Sequence, residues 1–152
     1  MTTADLTITH VSGDDPRIRR LVRDLDADLA ARYPTALDEI VARLDPASRF
    51  LLAELDGQPA GCCAVQPLLG GAELKRMYVT PQARGRGVAR RLLAEAEALA
   101  IALGHTEIRL ETGVHQPEAI ALYTRAGYTP IPVYPPYAYD PLSRCYAKPL
   151  SP

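Results

Sequence analysis

Between a strand-like run, Glu73 to Val79, and a long stretch with helical apolar spacing, Gly87 to Leu103, the chain carries Gln82-Ala83-Arg84-Gly85-Arg86-Gly87-Val88-Ala89. A strand that turns on alternate glycines into a helix leaves the first N–H groups of that helix unpaired and aimed back at the turn. Glycines at 85 and 87 let the backbone pass close to a ligand with no side chain in the way. The positive end of the helix dipole favours an anion at that place. Arg84, Arg86, Arg90 and Arg91 crowd around it. Cations at a helix N-terminus are unfavourable by roughly a few tenths of a kcal/mol each, so four of them fit a bound anion better than a bare surface turn. The third glycine of a dinucleotide fingerprint and the Gly-Lys-Ser/Thr of a P-loop are both missing. The segment therefore predicts a backbone-lined site suited to a pyrophosphate.

Around this turn the periodicity sets an order of elements. Leu6, Ile8 and His10 alternate with polar residues and predict a strand. Asp15 and Pro16 then open a helix as N-cap and first helical residue. Its apolar stripe is Ile18, Leu21, Val22, Leu25 and Leu29, and Tyr33-Pro34 ends it. A short second helix is expected from Ala36 to Leu44. Phe50 to Leu55 and Gly61 to Leu68 read as a hairpin about Asp56-Gly57, and Glu73 to Val79 follows the Gly70-Gly71 turn. In the long helix Val88, Leu92, Ala96, Leu99 and Leu103 share a face, and Gly104 is the stop signal. Then come a strand at Glu107 to Thr112, a helix at Pro117 to Ala126 ended by Gly127, and strands near Tyr128 to Val133 and Arg144 to Lys148. Hairpins in the middle and strand–helix–strand units later predict one α/β domain over residues 1–152, its mixed sheet mostly antiparallel with helices on both faces.

The charge balance narrows the partners. Lys and Arg total 17 against 18 Asp and Glu, a net charge of −1, which disfavours nucleic acid as a partner. No apolar run approaches the ~20 residues that span a bilayer, and Met1 to His10 lacks the pattern of a secretion signal, so the cytoplasm is expected. Cys62, Cys63 and Cys145 have no repeated spacing and read as core residues rather than a disulfide or zinc framework. His10, His105 and His115 are too scattered to suggest a metal, and none is expected.

Gln82-x-x-Gly85-x-Gly87, preceded by Leu74-Lys75-Arg76-Met77-Tyr78-Val79, resembles the acetyl-CoA signature of the GNAT N-acetyltransferase superfamily. Ala119-Ile120-Ala121-Leu122-Tyr123-Thr124-Arg125-Ala126-Gly127-Tyr128 is similar to that family's second signature. The resemblance is strong over roughly residues 50 to 130, and it implies a sheet splayed between its fourth and fifth strands. It further implies that backbone N–H groups from Arg84 through Gly85, Arg86, Gly87 and Val88 to Ala89 hold the pyrophosphate of acetyl-CoA. Gln82 belongs to the same signature. Pantetheine would lie along Met77 and Val79, with the Met77 N–H facing the acetyl carbonyl.

The implied activity is acetyl transfer to an amine, with a non-catalytic acyl-CoA sensor as the alternative. Tyr123 stands at the family's general-acid position, although it also sits on an apolar helix face. Glu73 stands where several members carry a base, or it is a solvent-exposed strand-end carboxylate. Glu111 is its rival, as base or as ligand for the substrate's ammonium group. Gln116 replaces the family's usual asparagine at the pantetheine arm. Pro130 to Pro141 holds five prolines with Tyr134, Tyr137, Tyr139 and Asp140. This loop either walls an acceptor pocket, with Tyr33 as a second wall, or packs as a surface connection or the contact of a homodimer.

Overall fold

The computed structural model describes residues 5–34, 44–68 and 70–152. Its elements are β1 (Leu6–Val11), α1 (Pro16–Arg32), β2 (Arg49–Leu55), β3 (Gln58–Leu68), β4 (Gly71–Val79), α2 (Val88–Ala102), β5 (Glu107–Gly113), α3 (Pro117–Arg125), β6 (Thr129–Ile131) and β7 (Ser143–Pro149). A 3₁₀ turn, Pro81–Ala83, follows β4. The helix expected from Ala36 to Leu44 falls outside the described residues, apart from Leu44.

Local chemistry accounts for the boundaries. The Asp15 carboxylate caps α1 by accepting from the Arg17 N–H at 2.9 Å, with Pro16 in the first helical position. Asp56 and Gly57 adopt φ of 52° and 80°, the left-handed pair that a two-residue hairpin turn demands, and β2 folds back on β3. Gly104, at φ 91°, follows the end of α2. Leu103 departs from its expected place on the apolar face: it lies past the last helical residue and is 42% exposed.

The seven strands form one sheet in the order β1-β2-β3-β4-β5-β7-β6, and only the β4/β5 pair is parallel. Strand alternation sends successive residues to opposite faces. Leu51, Cys63, Val65, Leu74, Ile108 and Leu110 meet α2 and Tyr123 of α3 on one face. Phe50, Leu52, Cys62, Ala64 and Tyr78 meet Ile18, Leu21 and Leu25 of α1 on the other. All three cysteines are buried and unpaired, as core residues would be. No described helix is long and apolar enough to cross a membrane.

The parallel pair is short. Only Ala72, Glu73 and Leu74 align with Ile108, Arg109 and Leu110, while β4 runs on to Val79 and β5 to Gly113. Beyond Leu74 the two strands diverge, leaving a fork in the middle of the sheet.

Candidate active site

The upper arm of the fork is irregular for a definable reason. Lys75 pairs with Ala64 and Tyr78 with Cys62, so Arg76 and Met77 together oppose the single residue Cys63. This is a bulge, and it reverses the alternation: Leu74 faces α2, yet so do Met77 and Val79, while Tyr78 faces α1. Arg76 sits at its centre with φ 59°, which costs a non-glycine residue roughly 1–2 kcal/mol. Its guanidinium pairs with Asp26 of α1 at 3.1 Å, and its carbonyl accepts from the Cys62 thiol at 3.4 Å. The bulge thus removes Met77 from regular pairing with β3, where a polar group in the fork can meet its backbone.

At the tip of β4 the glycine turn takes the form its sequence requires. Gly85 and Gly87 have φ of 79° and 78°, and a side chain at 85 would project into open space. Gly87 is the N-cap of α2 without any side-chain cap, so the first N–H groups of the helix face outward. Arg84, Arg86, Arg90 and Arg91 are exposed around them, and the Arg84 Nε donates to the Val79 carbonyl at 3.2 Å. Gln82 is exposed, whereas Val88 is buried and Ala89 half-buried at the start of α2.

On the face of α2 and α3, Tyr123 is 6% exposed and stacks edge-on against Tyr128 at 5.8 Å. Burial, reinforced by the charges of Cys63 and Glu111, holds its phenol above the ordinary tyrosine range, so it stays protonated. Its hydroxyl has no hydrogen-bond partner among the described residues, and Thr112 Oγ1 on β5 is buried and equally unpartnered. An orphaned buried hydroxyl is disfavoured by about 1–3 kcal/mol unless a ligand completes it.

The opposite face carries the acidic groups. Glu111, half-buried, accepts from Ser143 Oγ at 2.6 Å, and burial pushes its carboxyl up to about 7 against the partial opposition of Ser143 and Lys75. Glu73 is only 3% exposed, which removes the reading of it as a solvent-exposed strand-end carboxylate. Burial in turn depresses the ammonium of Lys75, whose Nζ lies 2.5 Å from the Tyr137 hydroxyl. Tyr137 is buried, with its hydroxyl held in this network.

Tyr33 and Gln116 meet each other. The Tyr33 hydroxyl donates to Gln116 Oε1 at 3.2 Å and accepts from the His115 N–H at 3.0 Å, while the Gly113 N–H also donates to Gln116 Oε1 at 3.2 Å. A Cβ at Gly113 would lie 1.9 Å from the Tyr33 oxygen, so any other residue there would displace the Tyr33 ring. Arg32 adds an ion pair to Glu118 and donates to the His115 carbonyl at 2.9 Å. The end of α1 is thereby tied to the turn between β5 and α3. The engaged carbonyl of Gln116 leaves its Nε2 as the group that can face a ligand. The lysine–tyrosine contact and this tie were not legible in local pattern, because both join residues more than 60 positions apart.

Residues 17–128 match the acetyltransferase (GNAT) family. The chain belongs to that family. It is 37% identical over 151 residues to an IAA acetyltransferase of Azospirillum brasilense, covering 96% of this chain and 99% of the relative. A Klebsiella pneumoniae structure provisionally named acyl-CoA N-acyltransferase superposes with a TM-score of 0.83 at 38% identity, covering 96% and 98% of the two chains. The PaiA N-acetyltransferase of Thermoplasma acidophilum, solved in complex with coenzyme A, shares the fold at a TM-score of 0.72 and 19% identity, over 95% and 99%. This GNAT protein is an acyltransferase, and the expected α/β sheet opening between β4 and β5 is the one found.

Proposed function

We propose that the protein transfers the acetyl group of acetyl-CoA directly to a primary amine of a small molecule or peptide. The observation that carries this reading is an acid–base pair across the fork. Tyr123 is kept protonated on one face, partly by the charge of Glu111, and Glu111 titrates near neutrality on the other. Groups whose surroundings drive their proton affinities apart are the ones suited to opposite roles.

The groups along the fork fit the acetyl-CoA arm. The N–H groups at Arg84 to Ala89 receive the pyrophosphate, helped by the arginines, with Gln82 beside them. Met77 and Val79 offer backbone to pantetheine, Gln116 offers its Nε2, and the orphaned Thr112 hydroxyl gains a partner. Acetyl-CoA supplies an activated thioester carbonyl. The Met77 N–H stabilises the negative oxygen that develops there. Glu111 takes the proton that the ammonium must lose before its nitrogen can attack, Tyr123 donates to the sulfur as the C–S bond breaks, and the surplus proton on the acylated nitrogen returns to the tyrosinate. A typical amine, with a pKa near ~10, reaches the site as a cation, which the acidic face attracts.

The test is thiol release from acetyl-CoA with tyramine, spermidine, kanamycin, single amino acids and short peptides. At least one amine is expected to accelerate release well above hydrolysis, and a flat response to all of them would overturn the reading. Gly87→Val is expected to weaken coenzyme A binding at least tenfold in calorimetry, because it forces a β-branched residue to φ 78° at the pyrophosphate turn. Unchanged affinity in a folded variant would move the phosphate site elsewhere.

A further inference from the structure

We infer that Glu73 is a positioning residue: its buried carboxylate locks the proline-rich loop 132–142 over the sheet through Tyr134 and Tyr137, and so shapes the acceptor pocket. The word acceptor rests on the acetyltransferase reading, whereas the lock does not.

Three donors converge on this one side chain. Gln66 Nε2 donates to Oε1 at 2.8 Å, the Tyr134 hydroxyl to Oε2 at 2.8 Å, and the Tyr137 hydroxyl to Oε2 at 3.3 Å. A carboxylate offers about four acceptor positions, so most of its capacity is in use. Lys75 Nζ, 2.5 Å from the Tyr137 hydroxyl and 5.1 Å from that ring's centre, continues the network and balances the charge. Among the described residues Glu111, by contrast, has one such donor, Ser143. A proton acceptor needs a free lone pair facing the substrate. Glu111, with one donor against three on Glu73 among the described residues, has more lone pairs open to such a role.

The Val114 N–H ties the end of the loop by donating to the Leu142 carbonyl at 2.9 Å, and Glu73 ties its middle. Between β6 and β7 the loop forms successive turns, Tyr137 N to the Tyr134 carbonyl at 2.8 Å and Asp140 N to the Tyr137 carbonyl at 3.0 Å. The prolines stiffen those turns but, lacking N–H groups, cannot tie them to a strand. Tyr134 and Tyr137 reach inward from the loop, packed edge-to-face with ring centres 5.4 Å apart. Each places an apolar ring over the sheet and its hydroxyl on Glu73, 61 and 64 residues away. The Tyr137 ring stands beside Lys75, and its hydroxyl feels the charge of Glu111, the base of the proposed reaction, so the position of the two packed rings decides what fits there.

Two measurements on the full chain test this. Hydrogen exchange of the loop amides, without ligand, is compared among wild type, Glu73→Gln, Tyr134→Phe and Glu111→Gln. Glu73→Gln and Tyr134→Phe are each expected to accelerate exchange in the loop at least tenfold, with α2 unchanged and Glu111→Gln near wild type. In steady-state assays, with whichever amine of the panel above reacts fastest, both variants should raise the amine's KM at least tenfold. The KM for acetyl-CoA and the rise of kcat with pH should be retained. Unchanged loop protection in both variants would overturn the lock. A 10²-fold loss of kcat and of its pH dependence in Glu73→Gln, with Tyr134→Phe unaffected, would make Glu73 the base instead. If Glu73→Gln fails to fold, Tyr134→Phe decides alone. If no amine reacts, the acetyltransferase reading fails while hydrogen exchange still judges the lock.

Discussion

Tyr123→Phe is expected to lower turnover about 10²-fold or more, within the range for loss of an acid–base group. The substitution removes one oxygen and keeps the ring that packs against Tyr128 and the α2 face of the sheet. Because that hydroxyl has no partner among the described residues, its removal breaks no hydrogen bond seen in the structure. The melting temperature should therefore barely change, and so should the affinity for acetyl-CoA. Steady-state turnover beside a thermal melt of the same preparation separates chemistry from packing. Full activity in the Phe variant would make Tyr123 a core residue and assign protonation of the sulfur to water or another group.

Glu111→Gln should have an effect of similar size, roughly 10²-fold, with a distinct pH signature. A base acts when deprotonated, so wild-type kcat should rise with pH through about 7, where burial has moved the carboxyl. The variant should lose that rise, and high pH should partly rescue it because more amine is then neutral. An undiminished rise would exclude Glu111 as the titrating base.

Stability should respond in the opposite sense. Folded Glu111 titrates near 7, above the ordinary carboxyl value of 4.5, so between those values the native state binds more protons than the unfolded one. Its contribution favours folding below the lower value and is lost as pH rises through the upper one. Urea titrations across that window should show this loss in wild type and not in Glu111→Gln.

Some of this was available from residue order alone. The Asp15-Pro16 cap, the Asp56-Gly57 hairpin and the Gly85-x-Gly87 turn are local rules written in adjacent residues, and each appears where its chemistry places it. The strand expected near 128–133 is shorter in the structure, since β6 pairs only from Thr129 to Ile131 before the prolines remove its donors. Alternation along β4 could be read only as far as Leu74. The bulge at Arg76 and Met77 then inverts it, and that depends on which β3 residue each one faces.

By itself the sequence determined the order of the described elements, the glycine turn before α2 and the family, because these depend on neighbours a few residues apart. It also named Glu73, Glu111 and Tyr123 as the groups with useful chemistry. The difference in their surroundings was decided by the tertiary structure. Proton affinity and hydrogen-bond satisfaction depend on burial and on partners distant in sequence: Ser143 for Glu111, and Tyr134 and Tyr137 for Glu73. Two glutamates alike in sequence thus become a buried anchor in one case and a group titrating near neutrality in the other.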